Sequence, residues 1–173
     1  MKHLNIEIKA KCDDHEKIRG ALKSLDADFK GTDRQIDTYF KVSNGRLKLR
    51  EGNIENYLVY YERENKSGPK RSDVILLKSE PRSPLKEILA RAVTPLVVVD
   101  KQREIYFVEN VKLHIDTVKD LGTFMEIEAI DCDGKLGKEK LLEQCNHYLK
   151  LFGIPPENLI SVSYSDLLLN KLL

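Results

Sequence analysis

Two stretches far apart in the chain carry acidic groups at a spacing suited to holding a cation. In Phe124-Met125-Glu126-Ile127-Glu128-Ala129-Ile130, two glutamates two residues apart share one face of an alternating pattern. In Leu4-Asn5-Ile6-Glu7-Ile8-Lys9-Ala10-Lys11, Glu7 and Lys9 lie on the polar side, opposite Leu4, Ile6, Ile8 and Ala10. Period-two alternation is the mark of a half-buried strand, so each pair points one way from its sheet. Carboxylates on adjoining strands make a hard-cation site, because magnesium prefers oxygen ligands and keeps phosphate oxygens as partners. Between these stretches, strand-like segments supply cations: Arg46, Lys48 and Arg50, then Arg63, then Lys101 and Arg103, then Lys112. Cations together with a carboxylate-held metal point to a phosphate chain as the ligand.

The elements that must position these groups follow from the same periodicities. Asp13 or Asp14 is placed to cap a helix running to about Asp26, with Ile18, Ala21, Leu22 and Leu25 as its apolar stripe. Residues 29–42 read as a strand with Gln35, Asp37 and Tyr39 on one face. Asn44-Gly45 is a tight-turn signal into Arg46–Arg50, and Gly52-Asn53 turns the chain into a strand over 57–64. Residues 65–72, including Lys70 and Arg71, read as a basic loop before a short strand at 74–78. Ser83-Pro84 predicts a helix start with the hydroxyl as cap. Long strands over 96–108 and 111–116 follow, the second placing Lys112, His114 and Asp116 on one face. A helix over about 138–152, with Leu141, Leu142, Cys145 and Leu149 inward, and a closing helix over 163–173 complete the chain.

The pattern predicts an α+β fold of about eight antiparallel strands with three or four helices, in one domain spanning residues 1–173. Amphipathic helices need an apolar surface to cover, so the aliphatic strand faces should look outward beneath them. The charged faces then look at one another, as a sheet curling into a closed barrel allows. So many enclosed cations call for water and a polyanion to compensate them. Because strand packing rests on the opposite face, alanine at Arg103 is expected to weaken phosphate binding and spare the fold.

Composition narrows the partners. The 173 residues carry a formal charge of +1, which gives no basic field for bulk nucleic-acid binding. No apolar run reaches the length of a membrane span, and Cys12, Cys132 and Cys145 are odd in number with no Cys-x-x-Cys spacing, as expected of a reduced, cytoplasmic protein. Zinc is not suggested by any spacing, and His114 reads as a hydrogen-bonded wall residue rather than a ligand.

The ordered set of motifs resembles the CYTH superfamily, the triphosphate tunnel metalloenzymes. Its first-strand signature is Glu-x-Glu-x-Lys, which here reads Asn5-Ile6-Glu7-Ile8-Lys9. The likeness continues through Gln35–Phe40, Leu47–Arg50, Tyr61–Arg63, Lys101–Glu104, His114–Asp116 and Leu121–Glu128. It implies a closed antiparallel tunnel with helices packed outside. It implies Glu7, Glu126 and Glu128 as ligands of Mg2+ or Mn2+, and Lys9, Lys48, Arg50, Arg63, Lys101, Arg103 and Lys112 as the phosphate-binding cations. Lys9, Arg103 and Asp116 are then the candidate catalytic groups, Asp116 orienting a cation or assisting a second metal. Two departures stand out. Asn5 lacks the charge of the family's first glutamate, and Lys48 replaces a frequent arginine, losing the bidentate fork.

The expected activity is that of a class IV adenylate cyclase, converting ATP to cyclic AMP and pyrophosphate, with 65–73 and Lys101-x-Arg103 closer to that branch than to thiamine triphosphatases. The alternatives are a triphosphatase acting on tripolyphosphate, nucleoside or thiamine triphosphate, and a catalytically weak nucleotide- or polyphosphate-binding module. Expected partners are a small-molecule triphosphate and a second copy in a homodimer, with no nucleic acid and no membrane.

Overall fold

A computed structural model describes residues 2–172. In chain order its elements are β1 (Lys2–Lys11), α1 (His15–Ser24), β2 (Asp28–Phe40), β3 (Arg46–Glu51), β4 (Tyr57–Arg63) and β5 (Lys70–Lys78). They continue with α2 (Leu85–Ala92), β6 (Pro95–Val108), β7 (Val111–Val118), β8 (Gly122–Asp131), α3 (Gly137–Leu151), a 3-10 turn (Pro156–Asn158) and α4 (Tyr164–Leu172). The eight strands close a barrel in the order β1-β5-β4-β3-β2-β6-β7-β8, every neighbouring pair antiparallel.

Closure sorts the side chains as alternation requires. Ile6, Ile8 and Ala10 of β1, Leu113 and Ile115 of β7, and Met125, Ile127 and Ala129 of β8 form one apolar layer outside the sheet. Ile18 and Leu22 of α1 and Leu141, Cys145 and Tyr148 of α3 cover it. Burying an aliphatic side chain of this kind stabilises by roughly 1.5–3 kcal/mol, so these helices hold the outer face of β1, β7 and β8. Asp14 caps α1 by accepting from the Lys17 amide at 3.0 Å.

A second apolar cluster lies at one end of the barrel, where Tyr39, Val59, Tyr61, Val99, Val118 and Phe124 meet Tyr164, Leu167 and Leu168 of α4. That helix closes the end rather than lying on the outside. Arg46 ties it down, donating to Asp166 at 2.9 Å and to Asn65 at 3.0 Å. Arg46 therefore stands apart from the other strand cations.

Some local expectations change. The basic loop is shorter, because β5 starts at Lys70 and pairs Lys70 with Glu7 of β1. The second helix begins without a side-chain cap: Pro84 occupies the cap position and its carbonyl accepts from Ile88. Leu142 is 36% exposed, since the inward stripe of α3 runs through Leu141, Cys145 and Tyr148.

Candidate active site

The inward faces of the strands enclose a cavity of about 290 Å³. Lys9, Lys48, Arg50, Arg63, Lys101, Arg103 and Lys112 all line it, as do Glu7, Glu126 and Glu128. Asp116 does not line it; it sits behind Arg103 with no exposed surface.

The cations are not left for a ligand to neutralise, as the sequence suggests; carboxylates of the same chain hold them. Asp37 gathers three, accepting from Lys48 at 2.9 Å, from Arg50 at 2.9 and 3.0 Å, and from Lys101 at 2.8 Å. Burial alone would raise its pKa, but Arg50, Lys101 and Lys48 outweigh burial and hold it well below the usual carboxylate range. Lys101 moves the other way: burial brings it down to about 7, against the pull of Asp37 and with Arg50 and Arg103 adding repulsion. Asp37 remains ionised while Lys101 titrates near neutrality.

Across the barrel, Asp116 accepts both arms of Arg103, at 2.7 and 2.5 Å, and the Tyr164 hydroxyl at 2.7 Å. Arg103 also donates to Glu126 at 2.7 Å, and Lys9 donates to the other oxygen of Glu126. Lys9 lies over the Tyr164 ring, 3.4 Å from its centroid. Burial opposes ionisation of Glu126, yet Arg103 and Lys9 keep its pKa well below normal. Arg63 donates to Glu7. Glu128 has no cation bonded to it among the described residues, and burial raises its pKa.

Three functional-looking groups lie outside the readable motifs. Glu55, in the turn between β3 and β4, reaches into the cavity and accepts from Arg50 at 2.9 Å and from Lys112. Asp33 shapes that turn by accepting from the Ile54 and Glu55 amides at 2.8 and 3.0 Å. A Cβ on Gly52 would stand 2.7 Å from both Asp33 carboxylate oxygens and the Glu55 carbonyl, so the turn needs glycine there. Lys70 is fully buried and donates to the Ile160 carbonyl at 2.7 Å, with burial first and then Arg63 lowering its pKa to about 8. Tyr164 enters from α4. A residue that arrives from a turn or a distant helix leaves no periodic mark on the strands it joins.

Not every wall is charged. Tyr57, Val59 and Tyr61 of β4 and Val74 and Leu76 of β5 form an apolar, aromatic side of the cavity. Asn5 lines it as well, and its side-chain oxygen is buried without a hydrogen bond. His114, 1% exposed, stands against Glu126 as a wall residue, but its Nδ1 is 3.4 Å away, and neither ring nitrogen makes a well-formed hydrogen bond among the described residues. Burial, then Arg103, pushes its pKa down to about 3, so the ring is neutral.

The donor chemistry suits a divalent ion. One oxygen from each of Glu126 and Glu128 and a ring nitrogen of His114 lie within 4.8 Å of one another, and the two carboxylates are the oxygen donors that would hold a hard divalent ion. Glu7 lines the same cavity, with its carboxylate on Arg63.

Comparison with known proteins bears on this geometry. The CYTH domain family matches residues 3–164. A protein of Methanocaldococcus jannaschii named "Putative adenylate cyclase MJ0240" is 29% identical over 172 residues, covering 95% of this chain and 98% of that one. The structure of the PH1012 protein from Pyrococcus horikoshii OT3 is 25% identical with a TM-score of 0.77, covering 94% and 98% of the two chains. A Hippeastrum protein, described as a putative adenylyl cyclase, HpAC1, revealing a dominant triphosphatase activity, shares the fold at 15% identity and a TM-score of 0.62, covering 98% and 95%. No helix among the described residues is long and apolar enough to cross a membrane.

Proposed function

The chain belongs to the CYTH family, whose members are metal-dependent enzymes acting on triphosphates, and from that premise we propose that it cyclises ATP to cyclic AMP and pyrophosphate. The carrying observation is the mixed lining of the cavity: besides cations on β1, β3, β6 and β7 and Arg63 at the end of β4, it has an apolar, aromatic wall of Tyr57, Val59 and Tyr61 on β4 and Val74 and Leu76 on β5. An inorganic phosphate chain has no use for that wall, whereas a nucleoside triphosphate presents a base and ribose to it. The name of the M. jannaschii relative agrees with this reading.

In this mechanism the incoming triphosphate displaces carboxylates from their cations. Phosphate oxygens take Lys9 and Arg103 from Glu126, Arg63 from Glu7, and Arg50 and Lys112 from Glu55. Asp116, itself held by the Tyr164 hydroxyl, keeps Arg103 in place from behind during that exchange. Glu126 and Glu128, with Glu7 beside them, would hold a divalent ion, Mg2+ or Mn2+, which when bound supplies neutralising charge to the phosphate oxygens. The ribose 3′-oxygen then forms its bond to the α-phosphorus as the bond to the β-phosphate bridging oxygen breaks. The hydroxyl proton passes to water, and pyrophosphate departs from the Lys9–Arg103 side. Preorganised cations at the site of developing charge are the main catalytic contribution of the chain.

Hydrolysis is the second reading, favoured by the fold shared with the Hippeastrum protein. Against it stands Asn5, a neutral amide at the first-strand position where a carboxylate could orient water. Incubation with ATP and Mg2+ or Mn2+, resolved by chromatography, tests both. Cyclic AMP with pyrophosphate is expected; orthophosphate from ATP or tripolyphosphate without cyclic AMP makes the protein a triphosphatase, and binding without turnover makes it a binding module.

A further inference from the structure

We infer that His114 is a nitrogen ligand of the ion held by Glu126 and Glu128, and that the site therefore prefers manganese or cobalt to magnesium. This rests on reading the tunnel as a metal-dependent triphosphate site.

His114 stands opposite Glu126 in the β7–β8 register, and its Nδ1 lies 3.4 Å from Glu126 and 3.9 Å from Glu128. One donor atom from each of the three residues fits within 4.8 Å. A buried polar group is almost always well hydrogen-bonded, yet at 1% exposure neither nitrogen of this ring has a well-formed hydrogen bond among the described residues, the nearest carboxylate oxygen standing 3.4 Å from Nδ1. If the residue were there only to fill space, an aliphatic side chain would do so without stranding two polar atoms. A neutral imidazole aimed at two carboxylates is instead one donor of a mixed nitrogen–oxygen set.

Position 5 adds to this. The neutral Asn5 leaves the first strand one anion short, and the imidazole on β7 makes up the donor count from the other side. Magnesium takes oxygen ligands and gains little from imidazole, whereas manganese and cobalt accept it readily, with affinity rising from manganese to cobalt.

The test is pulsed electron paramagnetic resonance of Mn2+ added to the intact protein, alone and with inorganic tripolyphosphate, which contributes no nitrogen. Nitrogen modulation is expected in the wild type, shifting in frequency when the protein carries 15N-labelled histidine. It should vanish in His114→Gln, persist in His3→Gln, and be accompanied by a Mn2+ dissociation constant about tenfold higher in His114→Gln, with the Mg2+ constant changing far less. Bound Mn2+ without nitrogen modulation overturns the inference and leaves an all-oxygen metal site intact. Modulation that survives His114→Gln overturns it too. Failure of Mn2+ to bind under either condition overturns both the inference and the metal-site reading beneath it. The wild-type spectrum decides the question even if His114→Gln does not fold.

Discussion

Arg103 holds Asp116 with two bonds and Glu126 with a third, and this changes what its removal costs. Seen as a strand cation facing a tunnel, it is a phosphate contact whose loss spares the fold. Paired as it is, alanine leaves buried Asp116 with no cation, only the Tyr164 hydroxyl, and buried Glu126 with Lys9 alone, a change that costs about 3–5 kcal/mol. Arg103→Ala should therefore lower the melting temperature by roughly ten degrees as well as weaken triphosphate binding, while Arg103→Lys, which keeps the charge and loses the fork, should sit between. Thermal unfolding by circular dichroism alongside calorimetry checks this; an unchanged melting temperature in Arg103→Ala would mean the pairing carries no stability. Lys101 gives a separate handle. With its pKa near 7, it is only partly protonated at pH 7–8, and a polyanion placed beside it raises that value. The bound state then holds more protons than the free one, so binding takes up protons and weakens as pH rises above 7. Calorimetric titration of tripolyphosphate at pH 8 in buffers of different ionisation enthalpy should show uptake of a fraction of a proton. Zero uptake would mean Lys101 is already fully charged in the free protein.

The turn between β3 and β4 is the element that most alters the picture of the cavity. It places Glu55 among Arg50, Lys112 and Gln35, where it does the work a phosphate would do. Glu55→Gln removes that competitor, so tripolyphosphate affinity should rise severalfold while the ligand-free protein loses stability, its two cations now less well compensated. Weaker binding in Glu55→Gln would show that this carboxylate assists the ligand rather than standing in for it. The strands that line the cavity were legible in the sequence, because alternation fixes which side of a strand each residue takes. That is why Lys9, Lys48, Arg50, Lys101, Arg103 and Lys112 could be placed together with Glu126 and Glu128 before closure was known. Glu55 was not legible, since a turn has no periodicity and its aim depends on Asp33 and Gly52. Tyr164 was missed for a similar reason: its hydroxyl meets Asp116 across 48 residues of sequence, through an α4 docking that only the closed end of the barrel defines. The Lys70 side chain read as loop charge because β5 starts earlier than its apolar run.

For the molecule as a whole, the decisive property is that a barrel lined by seven cations, Lys9, Lys48, Arg50, Arg63, Lys101, Arg103 and Lys112, is balanced by its own carboxylates. Asp37, Glu55, Asp116 and Glu126 are each held below their ordinary pKa despite burial, because the neighbouring cations outweigh it. A carboxylate whose folded pKa is depressed contributes stability that is complete above its unfolded value and is lost as pH falls towards the folded one. Unfolded carboxylates titrate near 4. All four contributions are therefore intact at neutral pH and drain together below about pH 4.5. Glu128 runs the opposite way: its raised pKa favours the folded state on acidification, offsetting part of one contribution. Buried His114, held down to about 3, loses stability in the same direction as the four carboxylates, so the expected result is a melting temperature that falls steeply between about pH 4.5 and 3. Because the pairs are buried, adding salt to the buffer should change that slope little. Circular dichroism melts across the range, at low and high ionic strength, measure both features. A flat profile down to pH 3 would show that the interior pairs contribute nothing to holding the barrel closed, and a slope abolished by salt would place the responsible charges on the surface instead.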